Sequence, residues 1–344
     1  MCLMKTKVLK IKESKIQIPV ILENDEYLVL NKPAGISVHG DGIRSEITVA
    51  DFILKNYPEI SEVGEPMILD KNPKPKSDKE KTELELENEA RNFKTKQERF
   101  NKRKLSRMNF EEGAAKVNSL ENTQDELPSL GEGAQSAEGV GALGIVDSEK
   151  IIEIKRPGIV HRLDKDTSGV LIIAKNKRSF AHLKSLFQEH LVKKEYIALV
   201  YGWPKVSTGI IDLPIARSKS DFRRKEIAIS AKGGDKHRGD ERDAMTRYKV
   251  LENLTVDNEK LSLIKYYPST GRMHQIRLHT KSIGHPIVGD HLYGPAKKDL
   301  ESLLFGKYPA RQLLHAKAIS FEDIKIESEL SADFEAALQY CKNL

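Results

Sequence analysis

The chain has 344 residues, of which 39% are hydrophobic, so it can bury a sizeable core in one large domain or two ordinary ones. The formal net charge of +6 is mildly basic, which is compatible with binding a phosphate backbone but does not establish it. The two cysteines, Cys2 and Cys341, form no CxxC pair, and no apolar run suits a signal peptide or a membrane helix, so we expect a cytoplasmic protein without disulfides, structural zinc or membrane contact.

The first predicted elements are two short strands within 20–30, joined by a turn at 23–26. The sequence NKPAG at 31–35 then ends the second strand, because proline and glycine favour a turn. Thr48 is a suitable N-cap for a helix that runs to about residue 56. The chain therefore begins with a strand pair followed by a loop and a helix.

The composition changes between about 65 and 153. The part at 70–112 is dense in Lys, Arg and Glu, and 120–144 is rich in Gly, Ser, Ala, Glu and Gln. Neither part can bury enough apolar surface to offset the chain entropy of folding. We expect a disordered insertion with a solvated helix around 81–105, rather than a domain of its own. Its basic cluster at 102–107 is a candidate RNA contact, although runs of charge are most often simply solvated.

Regular patterns return at residue 151 and continue to the end of the chain. The predicted strands are 169–174, 194–201, 245–251, 261–267 and 313–321, with a strand-and-loop excursion at 212–229. The predicted helices begin after Asn176, at 274 and at 332, and Gly284 ends the second of them. Strands predominate, so the expected fold class is α+β with a mixed, mainly antiparallel sheet and flanking helices.

The segment GIVHRLDKDTSG at 158–169 is the most informative part of the sequence. It places the polar residues His161, Arg162, Asp164 and Thr167 between two apolar runs. A polar loop that is held against a core in this way is where functional groups are commonly found. The alternative is a charged turn in which Asp164 and Arg162 form a structural ion pair, and this segment alone leaves both interpretations open.

A second polar segment, TGRMHQIRLH, occupies 270–279. Arg272 and Arg277 are candidate partners for a phosphate or carboxylate, because the guanidinium fork matches planar anions. The helix N-terminus near His274 also favours an anion. His274 and His279 are not spaced four apart, as two ligands on one helical face would be, so we expect no metal site here. The alternative is an ordinary surface helix.

The motifs NKPAG, HRLDKDTSG, KEY, TGRMHQIRLH, GHPIVGD and LLHA, in this order, resemble the RluA-type RNA pseudouridine synthases. The resemblance extends from about 20 to 339 except for the insertion, and HRLDxxTSG is highly specific. It implies a catalytic domain at 20–344 that is interrupted at about 65–153 and has a central RNA cleft. Only 1–19 precede this domain, too few residues for the S4-like RNA-binding domain with which many members begin.

The resemblance also implies roles for individual residues. Asp164 matches the catalytic aspartate, Tyr196 the tyrosine that stacks on the target base, and Arg277 the arginine that pairs with the aspartate. Arg162 matches the arginine that enters the space left when the uridine flips out of its stack. The further candidates for substrate contact are His161, Thr167, Arg272, His274 and Gln275.

The implied reaction breaks the C1′–N1 bond of a uridine, rotates the base and forms a C1′–C5 bond. It is a net isomerisation, so we expect no cofactor and no metal. We expect the partner to be RNA, with large-subunit ribosomal RNA before transfer RNA, and a monomer without an obligate protein partner. Two alternatives remain, namely a non-catalytic RNA-binding module on the same fold, and a nucleoside hydrolase that uses Asp166 as a second acid.

Overall fold

The structure is a computed structural model, and it describes residues 7–12, 14–41, 46–70, 151–218, 221, 224–228, 238–306 and 308–343. The strands are β1 Val8–Lys10, β2 Gln17–Glu23, β3 Tyr27–Lys32, β4 Met67–Asp70, β5 Ile151–Ile154, β6 Ser168–Ala174, β7 Lys193–Tyr201, β8 Thr208–Asp212, β9 Ile215–Arg217, β10 Lys225–Ile227, β11 Arg238–Arg242, β12 Met245–Val256, β13 Glu259–Pro268, β14 Leu314–Phe321 and β15 Ile324–Glu327. The helices are α1 Val49–Asn56, α2 Lys177–Gln188, α3 Gln275–Ser282, α4 Lys298–Phe305 and α5 Ala332–Lys342, with a 3₁₀ turn at Pro58–Ile60.

The main sheet has ten strands in the order β1-β2-β3-β6-β14-β7-β13-β12-β8, and β15 is paired to β14 as a branch. Its strand pairs are antiparallel except for β6 and β14, which run parallel at the centre. The expected class, α+β with a mainly antiparallel sheet, is therefore confirmed. A separate three-stranded sheet has the order β10-β9-β11, and we call it the satellite sheet.

The central strand β6 carries the end of the HRLDKDTSG motif into the middle of the sheet, and all seven of its residues are buried. Gly169 has a φ of +113°, and a Cβ atom there would lie 2.2 Å from the carbonyl oxygen of Ala316 in β14. Only glycine fits so close a backbone approach in that conformation. The parallel pairing of β6 with β14 therefore depends on this position, and it fixes where the preceding polar loop begins.

Three apolar clusters cover the main sheet. The first joins α1 and α2 to β2, β3 and β6 through side chains such as Phe52 and Leu183. The second lies under α4 and α5, where Phe334 is almost wholly buried. The third packs α3 onto β7 and β13 through Ile276 and Tyr266. Each helix thus buries one apolar face on the sheet, as the helical spacing of its apolar residues requires.

Every predicted element within the described residues is present, with small differences at its ends. The exception is β12, predicted to end at 251 but continuing to 256, because a bulge at Leu251 shifts its register against β13 and interrupts the apolar alternation. The helix α4 and the strands β1, β4, β5, β8, β11 and β15 were not predicted, and β4 and most of β5 lie within the stretch at about 65–153 expected to be disordered. The solvated helix expected at 81–105 lies outside the described residues. In the described part of the chain, no helix is long and apolar enough to cross a membrane.

The short strands β4 and β5 flank the greater part of the expected insertion, 71–150, which lies outside the described residues. They pair with each other in a two-stranded ribbon. The chain therefore leaves the main fold at β4 and returns to it at β5 at neighbouring points, so a short link can join them.

We predict that replacing 71–150 by a Gly-Ser link of about four residues leaves the fold intact. The segment is dense in charged and small polar residues and has too few large apolar ones to contribute a core. The shorter loop loses less entropy on closure, which raises the free energy of unfolding by roughly 2 to 3 kcal/mol. Urea unfolding of both chains, followed by circular dichroism, measures the difference. Loss of a cooperative transition in the shortened chain would show that the segment is part of the fold.

Candidate active site

Asp164 lies in the loop that leads into β6, and backbone hydrogen bonds fix this loop on both sides. The amide of Thr167 donates to the carbonyl of Asp164 at 3.1 Å, which closes a tight turn. The amide of Gly35, in the NKPAG turn, donates to the carbonyl of Lys165 at 3.0 Å. The side chain of Asp164 remains 20% exposed. The loop thus holds one carboxylate at the surface of a rigid support.

Two buried cations hold the backbone just after Asp164. Lys32 is fully buried, and its Nζ donates to the carbonyls of Pro33, Ile36 and Lys165 at 2.8 to 2.9 Å. Burial lowers the pKa of Lys32 to about 7, yet three carbonyl acceptors match the three protons of its ammonium form. The second cation, Arg311, donates from Nη1 to the carbonyl of Asp166 at 3.0 Å.

The guanidinium of Arg311 also joins the loop to the first turn of α5. Its Nε and Nη2 bind the two carboxylate oxygens of Asp333 at 2.5 and 2.9 Å. Neither cation was among the candidate residues predicted from the sequence. Lys32 lies within the NKPAG motif, which could have drawn attention to it, whereas no motif contains Arg311.

Arg277 of α3 connects two carboxylates beneath the site. Its Nε and Nη2 donate to the two carboxylate oxygens of Asp290 at 2.7 and 2.8 Å, and its Nη1 donates to Oδ2 of Asp164 at 3.3 Å. Burial alone lowers the pKa of Arg277, but the hydrogen bonds and charge of Asp290, together with Asp164, raise it above the ordinary value. Arg277 is therefore a permanent cation next to Asp164.

Asp290 is the residue that fixes the orientation of Arg277, and the sequence analysis gave it no role. Its side chain is fully buried. Besides Arg277, its Oδ1 accepts from the amides of Leu292 and Tyr293 at 3.0 and 3.1 Å. These partners hold the carboxylate in one orientation. Its signal in the sequence was the GHPIVGD motif, which supported the resemblance without indicating this contact.

His274, just before α3, also faces Asp164, with 4.0 Å between its Nε2 and the aspartate Oδ2. Burial lowers the pKa of His274, against the opposing charge of Asp164, so the ring is neutral near pH 7. Its Nδ1 lies 2.8 Å from the hydroxyl of Tyr293, which accepts from the amide of Lys225. That hydroxyl has its own proton to give to Nδ1, and in the tautomer that accepts it the ring proton lies on Nε2, towards Asp164.

Tyr196 in β7 completes the group. It lies opposite Tyr266 of β13 and Ala316 of β14, and its ring packs against two of the apolar clusters. Burial raises the pKa of Tyr196, and the charge of Asp164 raises it further, so its hydroxyl stays protonated at neutral pH. The structure thus brings together Asp164, Tyr196, Arg277 and His274, which the sequence places far apart.

Two predicted substrate contacts support the loop instead. Nε2 of His161 accepts from the amide of Ile172 at 3.1 Å, and its ring stacks on Phe187 with 4.8 Å between centroids. Burial lowers the pKa of His161 to about 3, so it stays neutral. Thr167 is almost fully buried, and its hydroxyl lies 3.5 Å from Nε2 of Gln312. Both side chains therefore contribute to the packing of the loop, and their contact with substrate stays a prediction.

Gln275 is likewise structural. Its Oε1 accepts from the hydroxyl of Thr270 and the amide of Arg272 at 2.7 and 3.0 Å, and its Nε2 donates to Met245 and Thr246 at 3.0 Å each. Both ends of this buried side chain are occupied, so it has no group left for a substrate.

The two remaining arginines, Arg162 and Arg272, differ in solvent exposure and in their hydrogen bonds. Arg272 is half-buried, and its Nε donates to the carbonyl of Asp243 at 3.1 Å. Arg162, two residues before Asp164, is exposed. The side chain of Arg162 is therefore accessible to solvent, whereas Arg272 is partly committed to a backbone carbonyl of the chain.

Part of the chain that carries this site is similar to known proteins. Residues 147–282 match the family model of RNA pseudouridylate synthase. The chain is 40% identical over 185 residues to ribosomal large subunit pseudouridine synthase D of Zymomonas mobilis subsp. mobilis, which covers 54% of each protein. It is 40% identical over 183 residues to ribosomal large subunit pseudouridine synthase C of Rickettsia typhi, covering 52% of this chain and 55% of that protein.

The chain thus spans about half the length of the curated relatives it matches. The human RNA pseudouridylate synthase domain containing 4 has the same fold, with a TM-score of 0.54 at 19% identity over 94% of this chain and 92% of that one. The matched segment contains Arg162, Asp164, Tyr196 and Arg277, whereas Asp290 lies beyond it.

We predict that Asp290→Ala lowers the free energy of unfolding by about 3 to 5 kcal/mol, because it removes the main partner of a buried arginine. The control is Glu327→Ala, which breaks an exposed ion pair with Lys325 and should cost less than about 1 kcal/mol. Urea unfolding of the two variants and the native chain provides the comparison. Equal losses in both variants would contradict the role given to Asp290.

Proposed function

We propose that the chain is an RNA pseudouridine synthase in which Asp164 is the catalytic carboxylate. The observation that carries this proposal is the contact of Asp164 with the cation of Arg277, 3.3 Å away, next to the half-buried Tyr196, whose pKa the charge of Asp164 raises. It is supported by the match of 147–282 to the family model of RNA pseudouridylate synthase. The proposed catalytic domain is 20–344, interrupted by the insertion at about 65–153.

The contacts of Asp164 suggest which of its oxygens acts. Arg277 donates to Oδ2, and Nε2 of His274 lies 4.0 Å from the same atom. Within the described residues, Oδ1 is therefore the oxygen left to face a substrate. Attack on C1′ or C6 of the uridine, or removal of the C2′ proton, uses this oxygen in each case. Arg277 and His274 hold the carboxylate still while it acts.

The remaining residues prepare the uridine. Leaving the stack costs the base a few kcal/mol, and the exposed Arg162 offsets part of that cost by entering the gap. The ring of Tyr196 then stacks on the flipped base. After the C1′–N1 bond breaks and the base rotates, C1′ bonds to C5, C5 loses its proton, and N1 gains one. Atoms and electrons balance without a cofactor or metal, and none is part of the proposal.

The proposed substrate is large-subunit ribosomal RNA first and transfer RNA second. The names of the two relatives at 40% identity, both ribosomal large subunit pseudouridine synthases, favour this order. The proposed setting is the cytoplasm, with the chain acting as a monomer. Because the chain matches only about half the length of those relatives, direct assay of both RNAs decides between them.

We predict that Asp164→Asn abolishes the release of tritium from RNA labelled with [5-³H]uridine, assayed in EDTA on transcripts of large-subunit ribosomal RNA and transfer RNA. The change is nearly isosteric but removes the charge, so RNA binding should persist. The matched control is Asp166→Asn, in the same loop, which should keep most of the activity. Substantial turnover by Asp164→Asn would rule out its catalytic role.

The same assay separates the two alternative functions. A nucleoside hydrolase would release free uracil and would lose activity in both variants if Asp166 were its second acid. A binding module would hold RNA in a filter assay while the native chain released no tritium. Tritium release without free uracil, lost only in Asp164→Asn, is the result expected of the synthase.

A further inference from the structure

The satellite sheet arranges its side chains in an apolar row and a basic row. Ile227 of β10 and Arg242 of β11 lie opposite Ile215 of β9. Two residues further along β9, Lys225 lies opposite Arg217. Residues directly opposite each other, and residues two apart on one strand, point to the same face of a sheet. Lys225, Arg217 and Arg242 therefore share the face that carries the two isoleucines.

That face is turned towards the active site. Ile215 forms an apolar cluster with Tyr293, and Ile227 packs against the same cluster. The amide of Lys225 donates to the hydroxyl of Tyr293 at 2.9 Å, and that hydroxyl lies 2.8 Å from His274. Since His274 is itself 4.0 Å from Asp164, the side chains of Tyr293 and His274 link the backbone of Lys225 to the carboxylate.

Among the side chains that the structure describes, this row carries positive charge only. Like charges directly opposite each other destabilise a strand pair. Burial lowers the pKa of Lys225, and the charges of Arg217 and Arg242 lower it further. Within the described part of the chain, none of these three side chains has an ion-pair partner, and the neighbouring Glu226 alternates to the other face of β10. A like-charged row of this kind is suited to an anion from outside the chain.

We propose that Arg217, Lys225 and Arg242 bind backbone phosphates of the RNA strand that carries the target uridine. The proposal rests on the proposed function, because a nucleotide that has flipped into the site stays linked to the phosphates on its two sides. The backbone must therefore run along a wall of the site. Guanidinium forks bind phosphate oxygens in pairs, and a lysine supplies a point charge between them.

The test compares two charge-matched double variants. One is Arg217→Gln with Arg242→Gln, and the control is Lys55→Gln with Lys205→Gln, which removes two exposed cations from other surfaces. Fluorescence anisotropy with a labelled oligouridine of about twelve nucleotides gives the Kd as a function of salt. Each phosphate contact contributes about 0.7 to the salt slope for a single strand. We expect the slope of the first variant to fall by about 1.4 and its Kd at low salt to rise about tenfold.

Equal weakening in both double variants would overturn the proposal, because it would reflect net charge alone. Unchanged binding by Arg217→Gln with Arg242→Gln would overturn it as well. Tritium release separates this failure from that of the proposed function. With an active native chain, the first variant should show a higher KM and an unchanged kcat at saturating RNA. With an inactive native chain and a difference in binding, the anion site would stand while the proposed function failed.

Discussion

The buried guanidinium of Arg277, shared between Asp290 and Asp164, is the interaction on which the site depends. A buried cation is costly unless its donors are satisfied, and Asp290 satisfies two of them with a bidentate contact at 2.7 and 2.8 Å. This contact fixes the plane of the guanidinium, so Nη1 can point only towards Asp164. The same arginine thus stabilises the fold through one carboxylate and orients the site through the other.

A second set of contacts fixes the backbone of the loop that carries Asp164. Lys32 and Arg311 bind the carbonyls of the two residues that follow it, and Gly169 lets β6 approach β14 closely enough for the loop to start at the centre of the sheet. These contacts join segments that are up to 145 residues apart in the chain. Rigid backbone on one side and a fixed cation on the other leave the carboxylate few alternative positions, which is how a site gains preorganisation.

Much of the fold could be predicted from the spacing of apolar residues. The strands β6 and β7 are marked by apolar runs, and the helices α1 and α2 by one apolar face and a suitable N-cap. The helix α4 was missed because its N-cap is Lys297, and lysine is not a residue type that marks the start of a helix. Motifs singled out Asp164, Tyr196 and Arg277, and with them His161 and Gln275, whose side chains form hydrogen bonds within the fold. Polarity within a motif does not show which way a side chain points, and the bonds of these two lie inside the fold. Asp290 acts only through a contact that the linear sequence does not display.

The most direct test of the account is the turnover of Asp290→Asn on RNA labelled with [5-³H]uridine, measured with KM and kcat resolved. Asp290 is fully buried and cannot touch RNA, so any effect passes through the groups it binds, which are Arg277 and the amides of Leu292 and Tyr293. The account predicts that kcat falls on the order of 100-fold, as a misplaced catalytic group does, while KM stays unchanged. A native kcat in a folded Asp290→Asn protein would contradict the claim that this arginine, held by Asp290, positions Asp164.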